Sequence, residues 1–268
     1  MTTTIIIPAR YKSTRFPAKP LAVIAGKTLI ERSWRAASMV QGVDAVYVAT
    51  DDDRIADHAR SFGAQVIMTS EECENGTARV SEAGQKLGAK DEDILVNFQG
   101  DAPLLPYWFA EPLVAAMKAD PAMNMATPVV RCDQHTLDLF KEDRRNGKVG
   151  GTTAVFDKNG DALYFSKEVI PYIPDSQKNR TPVPVFHHVG LYAYRYRLIK
   201  QYMNWQQGPL EQLEQLEQLR VLEHGQKIKC VEVSTRGRTF WEVNNPEDVQ
   251  RVETIIAREG EIFEVKHD

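Results

Sequence analysis

The sequence predicts an α/β fold: one domain built on a mixed, mostly parallel sheet and carrying an antiparallel insertion. Three observations point there. Short β-branched runs alternate with amphipathic stretches over roughly the first 130 residues, the rhythm of parallel strands joined by helices. The opening run Ile5-Ile6-Ile7 is apolar throughout and stops at Pro8, as a strand buried on both faces does. From about residue 132 to 200 the rhythm is lost, and glycines, prolines and short extended runs take over.

In order, Ile5–Ile7 is the first strand and a loop follows to Leu21. Gly26-Lys27 reads as a turn, and Thr28 caps a helix from Leu29 to about Met39 whose apolar face holds Leu29, Ile30 and Trp34. Ala45–Thr50 is the second strand. Asp51-Asp52-Asp53 then opens a helix to Phe62, either as capping carboxylates or as a metal-holding triplet, and three consecutive side chains suit the first role better. Gln65–Met68 is the third strand, Thr77–Leu87 a helix, Ile94–Phe98 the fourth strand, Tyr107–Ala119 a helix and Met125–Val130 extended. Within the insertion, Thr153–Phe156, Ala162–Phe165 and His187–Tyr194 read as strands, and Ile173–Pro184 as an exposed loop. The insertion serves as a substrate lid or as a dimer contact. Leu210–His224, with leucines three apart, is expected to be one amphipathic helix stopped by Gly225. Lys227–Val233 is a strand, and Pro246-Glu247-Asp248 opens the last helix.

Composition narrows the function. The 268 residues, 43% hydrophobic and 26% charged, suit one ordinary globular domain. A net charge of −4 argues against a nucleic-acid partner, so any basic patch is local and fitted to small anions. Cys73, Cys132 and Cys230 are odd in number, widely spaced and match no metal-ligand pattern, which points to a reducing compartment. The Met-Thr-Thr-Thr start lacks the regions of a signal peptide, and no apolar run is long enough to span a membrane. A cytoplasmic protein without membrane insertion is expected.

Two features carry chemistry. The loop after the first strand holds Arg10, Lys12, Arg15 and Lys19, the hydroxyls of Ser13 and Thr14, and no acid. At the carboxyl end of an α/β strand such a loop is placed to hold a polyphosphate, the alternative being a solvated basic turn. Asp101 follows the fourth strand and Gly100, so it projects from the same edge. It can hold Mg²⁺ shared with substrate phosphates, or it caps the next helix.

These residues resemble the nucleotide-binding signature of the bacterial 3-deoxy-manno-octulosonate (Kdo) cytidylyltransferases. The blocks are Ile7-Pro8-Ala9-Arg10-Tyr11, Ser13–Pro17 and Lys19-Pro20-Leu21, then Ala49-Thr50-Asp51, Gly76-Thr77, and Asn97 with Gln99-Gly100-Asp101. They continue through Ala162–Ser166, His188 with Gly190 and Tyr192, Leu216–Arg220 and Pro246-Glu247-Asp248, in the family's order along most of the chain. The resemblance implies a single Rossmann-like nucleotidyltransferase domain over residues 1–268, usually a homodimer. Such a domain joins CMP from CTP to the anomeric hydroxyl of Kdo and releases pyrophosphate, a step of lipopolysaccharide synthesis. It assigns Lys19, Arg15 and Asp101 to catalysis and Pro8, Ala9, Arg10, Arg15, Lys19, Thr77, Arg79 and Gln99 to the nucleotide. Gln99, Lys167, His188, Tyr192 and Glu211 fall to the sugar acid, and Asp101 and Asn244 to Mg²⁺. Only one of the neighbouring His187 and His188 can face the site from a strand.

The sequence also departs from that family. Ala78 replaces an acidic residue before the arginine, Ala102 a glutamate after the metal aspartate, and Asn244 the second metal carboxylate. Arg144–Val149 replaces a Pro-Asn and Val-Lys pattern, and Lys167 stands where arginine is frequent. Fewer acids beside two anionic substrates raise the local potential. That suits a different or modified acidic sugar, or a relative that binds nucleotide without turnover.

Overall fold

The computed structural model describes residues 1–12, 16–149, 151–178, 180–243 and 245–265. Strand β1 (Thr3–Ala9) is the centre of the amino-terminal half of the sheet. Its three isoleucines are fully buried and alternate between two cores, Ile5 and Ile7 facing one and Ile6 the other. Each such side chain contributes about 1.5–3 kcal/mol, so this strand needs helices on both faces. The hairpin β2 (Val23–Ile24) and β3 (Lys27–Thr28) leads into α1 (Leu29–Ala37), which Thr28 caps by accepting from the Glu31 amide. Next come β4 (Ala45–Thr50), α2 (Asp53–Ser61), β5 (Gln65–Met68), α3 (Gly76–Lys86) and β6 (Ile94–Asn97). Asp52 caps α2, and Asp51 instead pairs with Arg79, so the acidic triplet shapes structure.

The second half comprises α4 (Ala110–Ala119), β7 (Met125–Arg131), α5 (Gln134–Arg145), β8 (Thr152–Phe156), β9 (Ala162–Ser166), β10 (Phe186–His188) and β11 (Tyr192–Arg195). After these lie α6 (Tyr196–Tyr202), α7 (Pro209–Glu214), α8 (Gln218–Glu223), β12 (Lys229–Val233) and α9 (Glu247–Glu259). Strand β1 pairs in parallel with β4 on one side and β6 on the other, while β5 extends the sheet beyond β4. Beyond β6 the antiparallel β11 leads to β7, which pairs in parallel with β12. Helices α1, α2 and α4 cover one face, and α3, α6 and α8 the other. The fold is thus one α/β domain with a mixed sheet.

Three elements differ from the sequence reading. Residues 134–145, read as irregular, form α5, capped by Asp133 and buried only at Leu137 and Phe140. Two apolar contacts in twelve residues leave too little periodicity to see. The expected helix 210–224 is broken at Gln215, which is left-handed at φ 53°. Leucines three apart drift around a straight helix, and the break re-aims the chain so that Leu219 is buried while Leu213 stays exposed. The expected strand 187–194 is interrupted at residues 189–191. Both halves run antiparallel to β7, but the register slips, with His188 opposite Val129 and Ala193 opposite Ala126. The first half pairs with the β8–β9 hairpin, the antiparallel insertion.

Candidate functional site

Connections from β1 lead to β4 on one side, while β6 flanks it on the other. The carboxyl ends of β1 and β6 therefore mark a switch point in strand order, where open α/β sheets bind ligands. A cleft of about 290 Å³ opens there, lined by Pro8, Ala9, Arg10, Lys19, Arg79, Gln99 and Asp101 among others. The two strand ends approach so closely that only glycine fits at position 100. A Cβ there would lie 2.6 Å from the Pro8 carbonyl oxygen. This contact turns the chain and projects Asp101 into the cleft.

The basic loop closes on itself before reaching Asp101. The Ala18 amide donates to Tyr11 O at 3.1 Å, and Ala18 adopts φ 55° to start the turn that holds Lys19. The Lys19 ammonium then donates to Asp101 Oδ2 at 2.8 Å and to Val243 O at 3.0 Å. The loop cation and the strand-end aspartate expected from sequence are in contact. Arg10 is exposed at the cleft wall. Lys12 points elsewhere, to Glu71, in an exposed pair of little energetic weight. Arg15 and its neighbours Ser13 and Thr14, like Asn244, lie outside the described residues.

Opposite Lys19 stands the start of α3. Asn75 caps it by accepting from the Ala78 amide at 2.8 Å, and Asn75 and Gly76 line the cleft. The helix start adds a partial positive charge to the anion side. Arg79, 2% exposed, lines the cleft too, but its guanidinium is held by Asp51, Thr69 Oγ1 and Ser70 O. It shapes the wall and carries little free charge. Cys73, also on the wall, donates to Glu82, and burial pushes its thiol up to about 11, so it is a poor nucleophile.

Beside the cleft, on the α3, α6 and α8 face, lies a buried polar cluster. Tyr192 donates to Gln218 Oε1 at 3.1 Å, and the Thr77 hydroxyl meets that of Tyr194 at 3.3 Å. His188 hydrogen-bonds Thr127 Oγ1 at 3.0 Å and packs on Phe165 and Tyr192. Burial takes His188 down to about 3, so it is neutral. His187, on the opposite face of the strand, packs on Phe140 and Phe240 and falls to about 4 for the same reason. Both amide atoms of Asn97, Glu217 Oε2 and Gln218 Nε2 are buried with no hydrogen-bond partner among the described residues. Each such atom costs about 1–3 kcal/mol when left unpaired. Asn97 is opposite Tyr192 in the sheet, and Glu217 lies close enough to Tyr192 and Tyr194 to raise both phenols, after burial itself.

Two residues assigned to the sugar make contacts outside the polar cluster described above. Glu211 is 4% exposed with both oxygens on Arg220, at 2.6 and 2.7 Å, in a buried ion pair. The carboxylate of this segment that faces the polar cluster is Glu217, because the break at Gln215 rotates the following turn. A continuous helix, as read from sequence, hides that choice. Lys167 follows β9 with its amide on Glu214 Oε2 at 2.8 Å and is not part of the cleft lining. Thr77, His188 and Tyr192 belong to the polar cluster and not to the cleft wall.

The cytidylyltransferase family model matches residues 4–228. A 3-deoxy-manno-octulosonate cytidylyltransferase of Maricaulis maris (strain MCS10) is 47% identical over 262 residues, 98% of this chain and 100% of that relative. An 8-amino-3,8-dideoxy-manno-octulosonate cytidylyltransferase of Shewanella woodyi is 42% identical, over 96% of this chain and 99% of the relative. A solved structure of a CMP:2-keto-3-deoxy-manno-octonic acid synthetase complexed with CTP is similar at TM-score 0.84 and 34% identity, covering 97% of this chain and all of that one. With its cationic cleft at the β1–β6 switch point and these likenesses along nearly its whole length, the chain belongs to the cytidylyltransferase family.

Proposed function

We propose that the protein transfers CMP from CTP to the anomeric hydroxyl of Kdo, releasing pyrophosphate. The observation that carries this reading is the adjacency of two unlike spaces. One is a cleft with a fixed ammonium and a helix start, suited to a triphosphate. The other is a buried cluster with unpaired amide and carboxylate atoms, suited to a polyhydroxylated ligand. Lys19 donates to the triphosphate and spreads the charge that builds on the departing pyrophosphate. Arg10 meets it from the open side. Gln99, Asn97, Gln218 and the Tyr192 hydroxyl hold the sugar so that its anomeric oxygen faces the α-phosphorus.

Mg²⁺ belongs to this proposal. Among the described residues no group of three or more His, Cys, Asp or Glu could cage a metal. Asp101, which lines the cleft, fits, since Mg²⁺ is commonly held by one or two carboxylates with substrate phosphates and water. When bound at Asp101 it would neutralise charge on the triphosphate.

A second reading, activation of an amino-bearing relative of Kdo, is favoured by Glu217. Its buried, unpartnered oxygen would accept from a sugar ammonium. Pyrophosphate release from CTP and Mg²⁺, with Kdo and 8-amino-3,8-dideoxy-manno-octulosonate in parallel, tests both. Release with Kdo in preference supports the first reading, and preference for the amino sugar the second. No release with either would refute both.

Assembly and compartment complete the proposal. A homodimer is supported by the exposed apolar side chains Leu163, Tyr172 and Leu213 on and around β9 and α7. A cytoplasmic location is supported by three free cysteines. No helix among the described residues is long and apolar enough to cross a membrane.

A further inference from the structure

Resting on the reading of the cleft as a CTP site, we infer that Glu74 selects cytosine over uracil by accepting a hydrogen bond from the exocyclic amino group of the base. The cleft has two unlike ends. At the β6 end, Lys19 is bound to Asp101 beside the turn at Gly100. At the other end, Arg79 reaches back to Asp51 and Thr69, the residues directly after β4 and β5. From β6 across β1 to β4 is two strand spacings, about 10 Å. A nucleotide whose phosphates take the cationic end therefore lies across β1 and brings its base to the β4 side. The wall on that side comes from the connection between β5 and α3, with Cys73 and Glu74 in the lining. Ser70 O accepts from the Cys73 amide at 3.4 Å and from Arg79, which ties this wall to the β4 end.

Among the described residues the lining holds two acids, Asp101 and Glu74, and Asp101 is occupied by Lys19. Glu74 is exposed and makes no hydrogen bond or ion pair with any described residue. Its polar neighbours are spent: Asn75 Oδ1 on the Ala78 amide, Arg79 on Asp51 and Thr69, and Cys73 on Glu82. A free carboxylate in a triphosphate cleft repels the phosphates, and it weakens binding unless the ligand brings it a donor. Cytosine brings one in its amino group, and a carboxylate is the acceptor that suits it. Uracil carries an oxygen at the same place, and a carboxylate only accepts, so two acceptors would face each other. A site built to pair with an N–H rejects the analogue that lacks it. The ribose hydroxyls are the nucleotide's other donors, but the ribose joins the phosphates and lies nearer β6. Adenine also carries an amino group, so the comparison that isolates Glu74 is CTP against UTP.

The test measures CTP and UTP affinities by calorimetry on the full chain, without sugar, for wild type, Glu74→Gln and Glu74→Ala. Wild type should bind CTP at least about fivefold more tightly than UTP. The amide of Glu74→Gln can turn either group to the base, so the preference should fall to within about twofold. Glu74→Ala removes the acceptor and should do the same. Loss of the negative charge tightens both nucleotides alike and cancels in the ratio. Glu74 is exposed and unbonded, so both variants should fold. A CTP preference that survives both substitutions overturns the inference, and so does a wild type without one. Equal weakening of CTP and UTP in both variants, with 2′-deoxy-CTP unaffected, puts Glu74 on the ribose and likewise overturns it. Pyrophosphate release is measured separately. A wild type that prefers CTP through Glu74 yet releases no pyrophosphate with any sugar acid refutes the transfer reaction and supports the base assignment.

Discussion

Replacing Lys19 by methionine separates the catalytic role proposed for the cationic loop from any structural one. The ammonium makes two contacts, to Asp101 and to Val243 O, and its side chain is 17% exposed. A hydrogen bond from a charged donor to a phosphate is worth about 1.5–3 kcal/mol. At 1.4 kcal/mol per tenfold, kcat/KM for CTP should fall by roughly 10- to 150-fold. Methionine keeps most of the stem, so the packing beside Pro20 survives. The carboxylate left behind is a third exposed and stays hydrated, so loss of the partly exposed pair costs no more than about 1 kcal/mol. For a chain somewhat above 250 residues that is a shift of at most about 4 °C in Tm. Steady-state pyrophosphate release with CTP varied, alongside thermal melting, reads both. Activity within about threefold of wild type would remove Lys19 from the triphosphate site. A melting shift beyond about 8 °C would show that the Lys19–Asp101 bridge is mainly a structural tie.

Other changes have equally definite outcomes. Gly100→Ala drives a Cβ to 2.6 Å from the Pro8 carbonyl, so overpacking costs about 1–3 kcal/mol and displaces Asp101; calorimetry should show weakened CTP binding, and unchanged binding would mean the strand ends can part freely. Glu211→Gln leaves the buried Arg220 without its charge partner, at a cost of about 3–5 kcal/mol in urea unfolding, whereas the sugar KM of the folded enzyme should not move; a selective rise in that KM would return Glu211 to the sugar site. The histidines make stability depend on pH. His187 and His188 are depressed from the ordinary 6.5 to about 4 and about 3, so the unfolded chain binds their protons first, and stability falls as pH drops from 6.5 towards 4. The urea midpoint should decline across that window in wild type and less steeply in His187→Phe; identical slopes would show that His187 does not contribute.

The nucleotide half was legible in the sequence because its signals are local. An apolar run ending at Pro8, a loop with four cations and no acid, and an aspartate one residue past a strand-end glycine are each read within a few positions. Parallel strand rhythm then places all of them on one edge. Caps such as Thr28 and Asp52 were legible for the same reason, since a side chain reaches its own helix's amides.

The half proposed to hold the sugar was not, and the reason is geometrical. Whether Glu211 or Glu217 faces the polar cluster depends on one left-handed residue, Gln215, in a leucine repeat whose period gives no hint of a break. Glu211 finds Arg220 only because that turn folds α7 against α8, and Glu242 meets Gly190 across more than fifty residues of chain. Likewise α5 makes so few core contacts that its helical period does not stand out. Sequence by itself determined which chemical groups the protein carries and which strand edge presents the cationic loop and Asp101. Tertiary packing alone decided which carboxylates are spent on arginines, because burial and partner choice arise from contacts that no local pattern encodes.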